Sequence, residues 1–166
     1  GLAVVQIQTT SAQAAANVDE DLTSPELSSF TLDLNLATPL LVLTFNEPVK
    51  PATTLTIGAI TLQATAAGGT SFTLASSTSP TTDGNRDVTI ELSLADVTAL
   101  KQLDNLGNAI GDTYLRMTAA VVDDINDNAA VAILSGFGVQ ATTVTADGID
   151  PTVVSFTLDM DASLFG

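Results

Sequence analysis

One segment occurs twice in this 166-residue chain: Ser29-Phe30-Thr31-Leu32-Asp33 returns as Ser155-Phe156-Thr157-Leu158-Asp159. Pro25 stands ahead of the first copy and Pro151 ahead of the second, both at a shift of 126 residues. A second echo, at a shift of 134, joins Val5-Gln6, Thr9 and Ala12 to Val139-Gln140, Thr143 and Ala146. Such self-similarity predicts a tandem array. Residues 1–12 are expected to be the last strand of a preceding repeat, 13–24 a linker, 25–146 one complete repeat, 147–150 a second linker, and 151–166 the first strand of the next repeat. A start at Gly1 and a stop at Phe165-Gly166 lead to the same expectation of a window in a longer chain.

The unit reads as sheet. Residues 27–36 alternate, placing Phe30, Leu32, Leu34 and Leu36 on one face and Ser29, Thr31, Asp33 and Asn35 on the other. The second copy puts Val154, Phe156, Leu158 and Met160 on the inward face. After Thr38-Pro39 a second strand carries Leu41, Leu43 and Phe45 inward and ends at an Asn46-Glu47-Pro48 turn. Further strands are expected at 54–57, 60–64, 70–75, 87–92, 113–119 and 137–145, with a hairpin-type turn at Thr82-Asp83-Gly84-Asn85. Ser93 is a helix cap with Asp96 at the third helical position, and Leu94, Val97, Leu100 and Leu103 share a helical face. The expectation is an all-β, two-layer sandwich of the immunoglobulin type, with about seven strands and one short crossover helix, repeated in tandem.

Composition narrows the function. Nineteen acidic residues against four basic ones give a net charge of −15, which repels phosphate backbones and anionic lipid. Nucleic acid is therefore not an expected partner, and the longest apolar run, Leu40 to Phe45, is too short to cross a bilayer. The chain has no His and no Cys, so the usual catalytic triads and His-bearing zinc sites cannot be assembled from it. With no Trp and one Tyr, little aromatic surface remains for stacking a sugar. No Asn-x-Ser/Thr sequon is present, while the Ser/Thr-rich stretch 70–82 reads either as exposed turns or as a carrier of O-linked sugars.

The series Phe30-Thr31-Leu32-Asp33, Leu41 to Val49, Thr113-Tyr114-Leu115 and Ala119 to Ala130 resembles the bacterial Ig-like repeats of giant secreted surface proteins, in particular the swimming-motility-protein type. The likeness covers roughly residues 24–146. Repeats of that kind usually read D-x-x-G-N-A where this chain has Asp124-Ile125-Asn126-Asp127-Asn128-Ala129. The same string is locally similar to the calcium-linker pattern D-x-N-D-N of cadherins. The resemblance implies a non-enzymatic structural module of an extracellular filament, fibre or cell-surface protein, with neighbouring repeats or identical subunits as partners. The alternatives are an adhesion module binding a surface, a glycan or a partner cell, and an accessory domain of a secreted hydrolase.

Calcium is the expected ion. Asp124, Asn126 and Asp127, with Asp123 and Asn128 beside them, supply closely spaced hard oxygen ligands, although the same residues also suit an Asx-rich turn that bonds its own backbone. The acidic linker around Asp19 and Asp21 offers a second position, where an ion shared with Asp33 or Asn35 would stiffen a repeat boundary. Glu47, ahead of Pro48, reads either as a ligand or as a turn residue, the turn being preferred. The remaining candidates are apolar: Val154, Phe156, Leu158 and Met160 must be covered either by the next repeat of the same chain or by a neighbouring subunit that receives the strand.

Overall fold

Alternation in Leu27–Asp33 is the first feature that becomes structure. In the computed structural model, which describes residue 12 and residues 14–51, 54–79, 85–150 and 152–158, this segment is strand β1, with Phe30 and Leu32 turned into the core. Strand β2 (Leu40–Phe45) pairs with it antiparallel and buries Leu41, Leu43 and Phe45. Strands β3 (Ile60–Thr65), β4 (Gly68–Thr73) and β5 (Asp87–Glu91) follow, then helix α1 (Leu94–Lys101), β6 (Tyr114–Met117), β7 (Val139–Gln140) and β8 (Thr143–Thr145). Among the described residues, these eight strands form two four-stranded sheets, ordered β5-β2-β1-β8 and β4-β3-β6-β7. Ile60, Leu62, Leu115 and Met117 from the second sheet meet the apolar face of the first to make one core, as a β-sandwich requires.

The expected strand 137–145 is two strands because the chain changes sheets. Val139-Gln140 pairs with β6, Ala141 N–H donates to the Thr113 carbonyl (2.9 Å), and Thr142 N–H donates to the Phe30 carbonyl (2.9 Å). Thr143–Thr145 then runs parallel to β1, in the register Thr31↔Thr143 to Asp33↔Thr145. One segment thereby closes the same side of both sheets.

The sandwich has two distinct poles. The connections after β2 and β6 are joined by the Val49–Asp124 bridge and by Lys50 N–H donating to the Asp123 carbonyl (2.8 Å). The start of β1 lies there too, since Glu26 N–H donates to Asn46 Oδ1 (2.8 Å) and Asn46 N–H to the Glu26 carbonyl (2.9 Å). We term this the proximal pole. The end of β1 and the end of β8 share the distal pole, where Leu34 N–H donates to the Thr145 carbonyl (2.8 Å).

Four expectations need correction. Residues 54–57 are not a sheet strand: Gly58 lies in a 3-10 turn at Ile57–Ala59, and Thr56 N–H is taken by the Val121 carbonyl (2.9 Å). Leu36 is exposed, because the chain bends after Leu34. Leu94 is 82% exposed: it opens the helix, and the later members of its face, Val97, Leu100 and the half-buried Leu103, reach the core. Residues 152–158 form no strand and bury no apolar side chain, with Phe156 84% and Leu158 74% exposed. The proposed strand 1–12 and Met160 lie outside the described residues, as does most of the Thr82-Asp83-Gly84-Asn85 turn. That turn is flanked by a Thr78–Glu91 bridge, as a hairpin connection would be.

Helix α1 is capped as its sequence predicts, with Asp96 N–H donating to Ser93 Oγ (3.1 Å). The buried Asp96 carboxylate does more than complement the helix dipole. It accepts from the backbone N–H of Ala75 (3.2 Å), Ser76 (3.0 Å) and Ser77 (2.8 Å) and from Ser77 Oγ (2.6 Å), latching the helix to the β4–β5 connection. Burial pushes this carboxyl up, but the bonds from Ser77, Ser76 and Ala75 outweigh burial and hold it below its usual range. Removing the acceptor strands buried donors, so Asp96→Ala should cost on the order of 3 kcal/mol in urea unfolding. Because the folded-state pKa lies below the unfolded value of about 3.9, the latch's contribution is complete above the unfolded value and disappears as pH falls through the folded one. The stability gap between wild type and Asp96→Asn should therefore narrow as pH falls below about 4, and a gap that stays constant from neutral pH down to acid unfolding would contradict the latch.

Candidate metal centre

The acidic loop 123–128 is organised by one side chain. Asp124 is buried, and its Oδ1 accepts from the N–H of Asn126 (2.8 Å) and of Asn128 (2.7 Å), while Oδ2 accepts from Asn128 Nδ2 (2.8 Å). Asp127 closes the turn in the left-handed conformation, at φ +71°. Asp is among the few non-glycine side chains that tolerate that backbone. Bridges Val49–Asp124 and Asp123–Ala129 fix the loop to the body of the proximal pole.

Two further carboxylates arrive from elsewhere in the chain. Asp21, on the segment before β1, is positioned by Asn128 Nδ2 donating to its carbonyl (3.0 Å) and by Thr23 N–H donating to its Oδ1 (3.0 Å). Glu47 is held by the Asn46–Glu26 bonds that anchor the turn after β2. One oxygen from each of Asp21, Glu47 and Asp124 lies within 4.8 Å of the others, so the triad could hold a metal ion. Oxygens sharing an ion at 2.3–2.6 Å can be at most about 5 Å apart, so the spacing is compatible with a single hard cation. Glu47 Oε1 is buried without a hydrogen-bond partner, the kind of atom a cation would satisfy.

The local electrostatics favour positive charge. Burial pushes Glu47 up, and the neighbouring charges of Asp21 and Asp124 add to that. For Asp124 burial acts in the same sense, but the bonds from Asn128 and Asn126 prevail and hold it below the usual carboxylate range. It is thus the charged anchor of the group. Lys50 pairs with Asp127 and supplies compensation at the rim, its own pKa raised chiefly by that bond. Beside the triad lies an acidic depression of about 560 Å³ lined by Asp19, Glu20, Asp21, Asn126 and Asn128.

Of the sequence-predicted ligands, Asp124 and Asp21 meet, while Asn126 through its backbone N–H and Asn128 through its N–H and Nδ2 bond Asp124, and both line the adjoining depression. Asp127 turns outward to Lys50, and Asp123 serves through its carbonyl. Asp19 accepts from Asn17 Nδ2 (2.9 Å) on the exposed linker. The structure separates Asp33 from the linker: it sits at the far end of β1, on the order of 20 Å away by strand rise, where its Oδ1 accepts from Asn35 N–H (2.9 Å). Glu47, for which the sequence favoured a turn role over a ligand role, is the third carboxylate of the triad, and its only local signal was its place in a turn beside a strand end.

No protein-family model, curated protein or solved structure matches the chain. Among the described residues, no helix is long and apolar enough to cross a membrane. Scanning calorimetry offers a direct test of the triad. A divalent cation at a hundredfold excess over its Kd should stabilise the fold by about 2.7 kcal/mol relative to chelator, and Glu47→Gln should remove most of that gain. Superimposable wild-type curves in cation and in chelator would contradict the site.

Proposed function

We propose that this chain is an immunoglobulin-like structural repeat of an extracellular fibre or giant surface protein, non-enzymatic and stiffened by calcium. The observation that carries the reading is the course of the chain, which enters β1 at the proximal pole and leaves β8 at the distal pole along two parallel, hydrogen-bonded strands. Entry and exit at opposite poles suit end-to-end stacking. Tension applied through them would pull β1 and β8 past one another, loading the bonds Thr142–Phe30 and Leu34–Thr145 and the ladder between them together rather than in succession.

Composition supports the same reading. A surface of net charge −15 resists collapse onto neighbours and gathers cations. Calcium suits the triad because all three groups offer hard oxygen, and calcium accepts irregular coordination more readily than magnesium. Bound there, it would tie the segment carrying Asp21 to the turn of Glu47 and the loop of Asp124, restraining the chain where it enters the repeat.

Single-molecule stretching from the two ends tests the mechanical reading. Thr142→Pro deletes the N–H given to Phe30, so it should lower the rupture force by a larger fraction than it lowers the equilibrium stability. Equal rupture forces for wild type and Thr142→Pro would contradict a role for the β1–β8 pair in bearing tension.

A further inference from the structure

The distal pole is the apolar end of the molecule. A groove of about 580 Å³ opens there between α1 and the β1–β2 connection, walled by Leu34, Leu36, Leu92, Leu94 and Val97. Lys101, Asp147, Ile149 and Asp150 stand at its rim, so the chain leaves the domain across this groove. Exposed apolar surface at a chain exit asks for a neighbour. We propose, resting on the repeat reading above, that the groove seats the 123–128 loop of a following copy of this fold, with Ile125 as the side chain that enters it.

The tether makes contact between the two copies unavoidable. The shift of 126 residues that maps Ser29 onto Ser155 also maps Pro25 onto Pro151 and Asp21 onto Asp147. In this chain the Pro25 carbonyl accepts from Val131 N–H (2.9 Å), so that proline is fixed beside the acidic loop. On the exit side, Lys101 Nζ donates to Asp147 Oδ2 (2.5 Å) and Gly148 N–H to Asn35 Oδ1 (2.9 Å), so the linker is anchored as far as Gly148. Only residues 149 and 150 remain before Pro151. At about 3.5 Å per residue, the following copy's proline lies within roughly 11 Å of Gly148.

Asp147 sets which part of that copy arrives. Its counterpart, Asp21, is bonded through its carbonyl to Asn128 and has a carboxylate oxygen within 4.8 Å of Glu47 and Asp124 oxygens. Asp147 would stand in the same relation to the following copy's loop while remaining bonded to Lys101 of its own. That places the loop over the groove. Ile125 is 67% exposed on the loop, which the Asp124 bonds hold in shape, so an apolar side chain is presented at little entropic cost.

A two-copy protein tests this, made by joining residues 34–150 after Asp159 so that the natural linker and the repeated strand are kept. The chain has no Cys, so Leu94→Cys in the first copy and Ile125→Cys in the second form a clean pair. Mild oxidation should close this disulfide at least tenfold faster than it joins the second copy's Cys to a Val18→Cys in the first. Equal rates with both copies folded would overturn the docking and leave the repeat reading standing. A second copy that stays unfolded in the Cys-free protein would overturn the repeat reading itself, and the docking with it.

Discussion

The change of sheets by the last strand is the constraint on which the rest of the structure depends. By giving Val139-Gln140 to one sheet and Thr143–Thr145 to the other, the chain seals both layers along one side of the sandwich. It also brings the chain's exit alongside its first strand and in the same direction. Had the segment stayed beside β6 throughout, β1 would be an edge strand with an unpaired row of backbone groups. The parallel pairing protects β1 and separates the two poles in function: the chain enters beside carboxylates and leaves across an apolar groove.

Acidic side chains in this molecule do three different jobs, distinguished by what they face. Asp96 is held charged by backbone N–H groups and the Ser77 hydroxyl, and joins the helix to a serine-rich connection. Asp124 shapes a loop through three bonds and keeps its charge. Glu47 has one oxygen buried and unpartnered among like charges, an arrangement that costs stability and that a cation could relieve. The high net charge is therefore not only a solubilising coat, since part of it is gathered at the proximal pole.

How much of this could be read in the sequence follows from the range of the interactions. The alternation of Phe30, Leu32 and Leu34, the Ser93 cap and the helix after it are local, and the structure keeps them. Leu36 and Leu94 fit their periodic patterns yet lie beyond the ends of the surfaces they would cover. The role of Asp96 was hidden because its partners stand about twenty residues upstream, in a Ser/Thr stretch that reads equally well as exposed turn. Glu47 and Asp124 are 77 positions apart and meet only because the connections after β2 and β6 are bridged. Asp33 and Asp21 carry the right chemistry, but a whole strand lies between them. Residues 155–158 repeat the letters of 29–32, yet 152–158 form no strand, because identical local sequence does not supply the neighbouring strands that β1 pairs with.

The axial spacing of successive domains in the native assembly, measured by electron microscopy, tests the central claim most directly. A module entered at one pole and left at the other through so short a linker should give a straight file of domains with a period of about 40 Å, set by the size of a domain of this length, and with density continuous from each distal pole into the next proximal one. Domains separated by wide, variable gaps, or single domains with no axial neighbour, would contradict it.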